Sequence, residues 1–287
     1  MNIKKVLVVG AGTMGRQIAL NAAIHGFHTI VNDSFPGVLE TVESWAVQYL
    51  DGRVGKGKMT AENAEATKAR FSMEADLEKA AADVDLVIEA ALENLDLKLE
   101  IFGKLDKLCK PETILASNSS TFFPSQYNVA TNRPGKVIGM HYFNPVLQMQ
   151  LLEVVMSDKA SDETLATVKE YGALTKKRVI VAIKERPGFI VNNIFGAVTT
   201  MAWDLLDGGY ASFEDIDLAA EKGLGHAMGP FRTMDASGLD TILSIRKSRH
   251  AIDPEKYPGP NEILIEKVAK GEVGVKAGKG FYDYTKK

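Results

Sequence analysis

Residues 6–15 read Val-Leu-Val-Val-Gly-Ala-Gly-Thr-Met-Gly, an apolar β-branched run that ends in G-x-G-x-x-G. A second short apolar run, Ile30-Val31-Asn32, ends in Asp33. This order fits a strand, a tight turn, a helix and a second strand. Gly10 permits the turn, Gly12 lets a pyrophosphate approach the backbone, and Gly15 lets the helix pack closely on the strand. The helix N-terminus beyond Gly12, at Thr13 and Met14, presents free N–H groups and a positive dipole end to phosphates. Asp33 stands where a carboxylate accepts hydrogen bonds from the ribose hydroxyls of NAD. The same charge repels the 2′-phosphate of NADP, and Ser34 and Phe35 follow with no arginine beside it. The plain alternative is a glycine-rich turn with a chance acid. The strand before, the helix after and the distance to the acid together favour bound NAD.

The rest of the chain narrows the class. A length of 287 residues suggests two domains. Hydrophobic content of 45% and charged content of 25% are ordinary for a globular protein, and a net charge of −3 gives no electrostatic case for nucleic acid or an anionic membrane. The single cysteine, Cys109, rules out an internal disulfide and points to a reducing compartment, hence the cytoplasm. It lies between Lys107 and Lys110 and reads as a structural thiol. Residues 1–9 resemble a signal peptide only superficially, since the apolar run is short and interrupted by glycine. No stretch reaches the ~18 apolar residues of a membrane span. Residues 189–206 come closest, but Asn192, Asn193 and Asp204 interrupt them. Five histidines and one cysteine offer no metal-ligand spacing, so no metal is expected; His25 and His28 fit a helix end and a turn.

Apolar runs mark strands at 3–9, 29–31, 85–89, 113–116, 137–140, 151–155 and 179–182, alternating with helical patterns at 12–25, 39–50 and 95–108. A polar segment rich in Lys, Glu and Ala continues to about residue 69. Alternation of this kind implies an α/β, doubly wound, Rossmann-type domain with a parallel sheet covered on both faces. The pattern changes at Glu185-Arg186-Pro187-Gly188. Beyond it, helical patterns at 189–206, 213–221, 234–249 and 262–270 imply an all-α C-terminal domain. The expected division is 1–185 and 186–287. The second part is apolar enough to bury a subunit interface, so a homodimer or higher homo-oligomer is expected.

Two further segments have the composition of reactive sites. His141 ends one predicted strand within Met-His-Tyr-Phe-Asn-Pro, and Glu153 interrupts the apolar run Leu-Leu-Glu-Val-Val. In open parallel sheets, ligands bind outside the carboxyl ends of strands, where a histidine can exchange protons near neutral pH. A glutamate in an apolar strand is seldom buried unless paired. If it reaches His141, it fixes the tautomer and stabilises the imidazolium. The plain alternatives are a structural histidine and an edge charge. The row Ser117-Asn118-Ser119-Ser120-Thr121 supplies donors and acceptors suited to a nicotinamide ribose and a substrate oxygen, and equally suits a hydroxyl-rich turn.

Together these segments resemble the short-chain L-3-hydroxyacyl-CoA dehydrogenase family. The likeness runs through Gly10–Gly15, Val87-Ile88-Glu89-Ala90, Glu93-Asn94-Leu95, Ser117–Ser120, His141–Pro145, Leu152-Glu153-Val154, Arg186–Asn192, Met228–Phe231 and Lys279–Tyr282. It implies reversible hydride transfer between C3 of a 3-hydroxyacyl-CoA, such as 3-hydroxybutyryl-CoA, and NAD. By the same resemblance His141 is the base and Glu153 its carboxylate partner, while Ser120 and Asn192 hold the reacting oxygen. Asp33 binds the adenosine ribose, Glu93, Lys98 and Asn118 lie at the nicotinamide half, and Lys56 and Lys58 grip CoA phosphates. The chain departs from the family at Leu147, where a proline is usual, at Gln150, where a lysine is usual, and at Thr121-Phe122 after the serine cluster. The catalytic pair is untouched, so these departures bear on acyl preference.

Other readings are a dehydrogenase of free hydroxy or sugar acids and a non-catalytic NAD-binding protein. The 6-phosphogluconate type needs a lysine base on the first helix of the second domain, and no lysine occurs between Pro187 and Glu221. Relatives acting on sugar acids, and the related lens crystallins, keep a His–Glu pair.

Overall fold

The computed structural model describes residues 3–252, 254–255 and 258–285, which divide into two compact units, Met1–Ile190 and Val191–Lys287. The first unit runs β1 (Lys5–Val9), α1 (Thr13–Ile24), β2 (His28–Asn32), α2 (Val38–Gly55), α3 (Ala61–Lys68), β3 (Phe71–Met73), α4 (Leu77–Ala81), β4 (Leu86–Glu89), α5 (Leu95–Leu108), β5 (Ile114–Ser117), α6 (Pro124–Tyr127), β6 (Val137–Tyr142), β7 (Leu151–Val155), α7 (Asp162–Leu174) and β8 (Arg178–Ala182). The strands form one sheet of order β3-β2-β1-β4-β5-β6-β7-β8.

Alternation along β1 divides the core. Val6 and Val8 join one apolar cluster with Ile18, Ala22 and Ile88, while Leu7 and Val9 join another with Val87, Phe102 and Leu105. Both faces of the strand are therefore dry, as a parallel strand flanked by helices requires. On α5, Lys98, Ile101, Phe102 and Leu105 form the buried stripe at helical spacing, and the Asn94 side chain caps the first turn by accepting from Leu97 N at 2.9 Å. A Cβ on Gly15 would stand 1.7 Å from the Gly10 carbonyl oxygen, so no side chain fits where α1 leaves the glycine turn.

One expectation is corrected. The sheet is not parallel throughout, because β6 and β7 pair antiparallel, with His141 opposite Glu153. Only residues 143–150 join these strands, too few for the dozen or more of a parallel crossover. The buried Lys177 holds that connection by donating from Nζ to the Val146 and Met149 carbonyls at 2.6 and 2.8 Å. Leu147 packs against the cluster around Leu20 and Leu50, and Gln150 is exposed. Elements also occur where periodicity is weak: α3 lies within the polar segment, β3 and α4 follow it, and α7 precedes β8.

The second unit contains α8 (Val191–Asp207), α9 (Phe213–Leu218), a π-type turn (Ala219–Gly223), α10 (Pro230–Ser237), α11 (Leu239–Ile252) and α12 (Glu262–Ala269). The pattern read as one helix at 234–249 is two, since Gly238 sits at φ +92° and ends α10. The compact units divide after Ile190, later than the composition break at 185. Phe189 packs on Val155 and Ala182, which ties the residues after Pro187 to the first unit.

Cys109 is buried at the end of α5, and burial pushes its thiol up to about 11. A thiol ionising near 9 when unfolded has roughly a hundredfold more thiolate at pH 8. Iodoacetamide should therefore alkylate the native protein at pH 8 about a hundredfold more slowly than the chain in urea, and faster as pH rises towards 11. Equal rates read by mass spectrometry would contradict this.

Candidate active site

The carboxyl ends of β1, β4, β5 and β6 share one edge of the sheet, and the residues following them are joined by hydrogen bonds. Gly10 N donates to the Asn32 carbonyl and Ala90 N to that of Val9. Asn118 N donates to the Glu89 carbonyl at 2.7 Å, and Asn118 Oδ1 accepts from Tyr142 N at 2.9 Å. Gln17, on α1, donates from Nε2 to Asn144 Oδ1 at 3.2 Å. The glycine turn, the serine row and the histidine motif are thus one connected rim.

The glycine turn fits a dinucleotide. A Cβ on Gly12 would meet no atom within 4 Å, so the space over the α1 N-terminus is open, and no side chain caps that helix. Its first N–H groups, with Thr13 and Met14 in the first turn, remain for a phosphate. Asp33 directly follows β2 and accepts from Ala11 N at 2.7 Å and Phe35 N at 2.9 Å. A carboxylate offers about four lone-pair sites, so capacity is left for ribose hydroxyls.

His141 and Glu153 are buried cross-strand neighbours, 6% and 0% exposed. His141 Nδ1 lies 2.9 Å from Glu153 Oε2. An ionised carboxylate only accepts, so Nδ1 carries the proton and Nε2 is the basic nitrogen. The other carboxylate oxygen, Oε1, accepts from Ile190 N at 2.6 Å. Phe143 and Phe189 flank the ring, with centroids 4.5 and 5.6 Å from it.

Beneath the serine row lies an ionic network built on the buried Lys98 and Glu89 and reaching the exposed Glu93. Lys98 Nζ contacts both oxygens of Glu89 at 2.9 and 3.0 Å and Glu93 Oε2 at 3.2 Å. Glu89 also accepts from Ser117 Oγ at 2.6 Å and Ala91 N at 2.8 Å. Glu93 accepts from Ser119 Oγ at 2.6 Å and from the backbone of Ser120 and Thr121. Burial pushes the Glu93 carboxyl up, but the Ser119 bond and the Lys98 charge outweigh it and hold the group below the usual range. The network fixes the backbone that carries Ser120.

The first unit therefore brings the glycine turn, Asp33, Glu93, Lys98, Asn118, Ser120, His141 and Glu153 to one edge. Lys56 and Lys58 lie apart, exposed on the turn between α2 and α3, and Asn192 lies in the first turn of α8 in the second unit. Glu89 was not singled out from the sequence. Its signal is an acid closing the apolar run Leu86–Glu89, the pattern that marks Asp33. Among the described residues, no three potential ligands gather as a metal site, and no helix is long and apolar enough to cross a membrane.

Residues 5–186 match the 3-hydroxyacyl-CoA dehydrogenase NAD binding domain, and residues 188–284 match the C-terminal domain of the same enzymes. A probable 3-hydroxybutyryl-CoA dehydrogenase of Bacillus subtilis is 39% identical, over 100% of this chain and 99% of its own. The mitochondrial hydroxyacyl-coenzyme A dehydrogenase of Rattus norvegicus is 37% identical over 98% and 91%. The crystal structure of (S)-3-hydroxybutyryl-CoA dehydrogenase from Ralstonia eutropha superposes with a TM-score of 0.88 at 35% identity, covering 99% of this chain and 100% of that one. With its glycine turn shaped for the dinucleotide and both domains matched, the chain belongs to the 3-hydroxyacyl-CoA dehydrogenases, oxidoreductases that use NAD.

Proposed function

We propose that this enzyme interconverts 3-hydroxybutyryl-CoA and acetoacetyl-CoA, with His141 as its acid–base group. The observation that carries this reading is the buried His141–Glu153 pair, which leaves Nε2 as the basic ring nitrogen at the sheet edge that also bears the glycine turn. The glycine turn and Asp33 would hold NAD, which would supply the acceptor for the hydride of C3. His141 Nε2 removes the hydroxyl proton as the carbonyl forms, and returns it to the ketone oxygen in the reverse direction. Glu153 stabilises the imidazolium so formed. Ser120 and Asn192 orient the reacting oxygen. Asp33, Glu93, Lys98 and Asn118 position the cofactor with Gly10, Gly12, Thr13, Met14 and Gly15, and Lys56 and Lys58 meet the CoA phosphates. The names of the relatives support the four-carbon substrate. The single reduced thiol supports a cytoplasmic location.

The central test is steady-state oxidation of NADH with acetoacetyl-CoA. His141→Ala should lower kcat by about 10²–10⁴ and leave NADH binding nearly unchanged. Retention of more than about a tenth of kcat would rule out the acid–base assignment. Glu153→Gln offers a single acceptor oxygen, for which Ile190 N–H competes with the ring. Its NH2 group then faces Nδ1 and drives the proton to Nε2, the wrong tautomer for a base. Its kcat should fall too, and an unchanged pH–rate profile would remove the pairing from the mechanism.

Cofactor choice follows from Asp33. NADH should be strongly preferred, and Asp33→Ala should narrow the gap to NADPH by removing charge repulsion. Comparable kcat/KM for the two cofactors in the wild type would disprove this.

We also infer self-association through the second unit, because α8 and α11 expose Ile194, Met201 and Ile245. Light scattering at micromolar concentration should report at least a dimer; a monomer would overturn the inference.

A further inference from the structure

Late in the first unit, residues 186–189 form a tight turn in which Phe189 N donates to the Arg186 carbonyl at 2.9 Å. Pro187 and Gly188 take its two central positions, and Gly188 sits at φ +78°, as the third residue of a type II turn requires. Phe189 follows at φ +49°, again in the left-handed region. A bulky side chain there is an outlier, because its Cβ crowds the backbone. Among the described residues the other non-glycine at positive φ is Lys176, just past the end of α7, where helices commonly finish left-handed. Phe189 closes no helix, since α8 begins two residues later. Glycine would adopt this backbone freely, so what the position calls for is the ring. That ring is 4% exposed. It packs on Val155 and Ala182 at the ends of β7 and β8, with Phe123 edge-on at 6.2 Å and His141 edge-on at 5.6 Å between centroids. The peptide group that leaves Phe189 carries Ile190 N–H, which donates to Glu153 Oε1 at 2.6 Å.

We propose that Phe189 is a positioning residue for the reaction: its buried ring holds a strained backbone so that Ile190 N–H pins Glu153 Oε1 and leaves Oε2 to His141 Nδ1. The proposal rests on the reading that His141 is the acid–base group. Strain of this kind persists only where the surroundings over-determine it, and it collects at working sites. Here the ring is the anchor, wedged between the strand ends and the imidazole. Without it the backbone relaxes towards negative φ and Ile190 N–H swings off Oε1. The buried carboxylate then turns to recover a donor, and Oε2 leaves the imidazole it orients.

The test is steady-state oxidation of NADH with acetoacetyl-CoA by the full chain. Phe189→Ala removes the ring and keeps the strain. It should lower kcat by about 10- to 100-fold, the scale on which a misplacement of about 1 Å acts. KM for NADH and for acetoacetyl-CoA should stay within about twofold, the mark of an interaction used in the transition state. Phe189→Leu restores apolar bulk and should recover most of the loss. Phe189→Gly removes ring and strain together, should lose at least as much kcat as Phe189→Ala, and carries the test if Phe189→Ala does not fold. A double-mutant cycle with Glu153→Gln decides whether Phe189 acts through the carboxylate. In that background Phe189→Ala should cost less than about threefold in kcat, whereas a merely structural residue lowers kcat by the same factor in both backgrounds. A folded Phe189→Ala or Phe189→Gly with wild-type kcat, or losses that multiply in the cycle, would overturn the proposal. His141→Ala separates this failure from that of the underlying reading. If it keeps wild-type kcat, the acid–base assignment falls and this proposal with it. If it is inactive while the Phe189 variants match the wild type, this proposal alone is wrong.

Discussion

The candidate chemistry depends on one reversal of strand direction. In a parallel sheet, consecutive strands are separated by a helix, and two side chains brought to the same edge come from distant parts of the sequence. Here eight residues, 143–150, turn the chain directly back, and β7 runs against β6. Opposed residues in an antiparallel pair project to the same face with Cβ atoms about 5 Å apart. His141 and Glu153 meet because the register places them opposite one another. Slipping that register by one residue would turn either side chain to the other face and replace the ionic contact with a buried, unpaired carboxylate. Lys177, clamped on two carbonyls of the connection, holds the turn that sets the register.

Burial defines what the pair can do. Glu153 is wholly inaccessible and is satisfied from two sides, by the imidazole and by the Ile190 amide. A carboxylate so held cannot swing away, and the ring it holds keeps a single tautomer. The network under the serine row follows the same rule: Lys98 is 1% exposed and bridges two glutamates. Such an assembly contributes less to stability than to geometry, since desolvation offsets most of the Coulomb attraction. Its outcome is a fixed path for Ser119, Ser120 and Thr121.

Much of this was legible in the residues. The glycine turn, the strand before it and Asp33 announce the first strand–helix–strand unit because each residue type has a stereochemical duty there. His141 and Glu153 stand out because charge is rare in apolar strands. The antiparallel return was not read, although the short connection and its Asn-Pro pair carry the signal. Nor were α3, β3, α4 and α7 read, whose short or mixed apolar patterns leave burial to tertiary contacts. The motifs near Met228 and Lys279 resemble family signatures without revealing their duty, which packing supplies. Asp217 accepts from the backbone of Phe231 and Arg232 and from Tyr282, and Asp235 accepts from Phe281, Tyr282 and Tyr284. These buried carboxylates stitch the C-terminal turn to α9 and α10, a role that depends on residues far apart in sequence.

Asp33 carries a constraint on how such a protein can evolve. Its carboxylate has a second duty besides the ribose, because Oδ2 also accepts the amide of Ala11, inside the glycine turn, and Oδ1 that of Phe35. Discarding the acid to admit a phosphorylated coenzyme would also release the loop that receives the pyrophosphate. A drift in coenzyme choice must therefore pass through side chains that still accept from Ala11, such as asparagine or serine, before any basic residue nearby can be useful. Selectivity and loop order are inherited together at this position, which narrows the mutational routes open to descendants of this sequence.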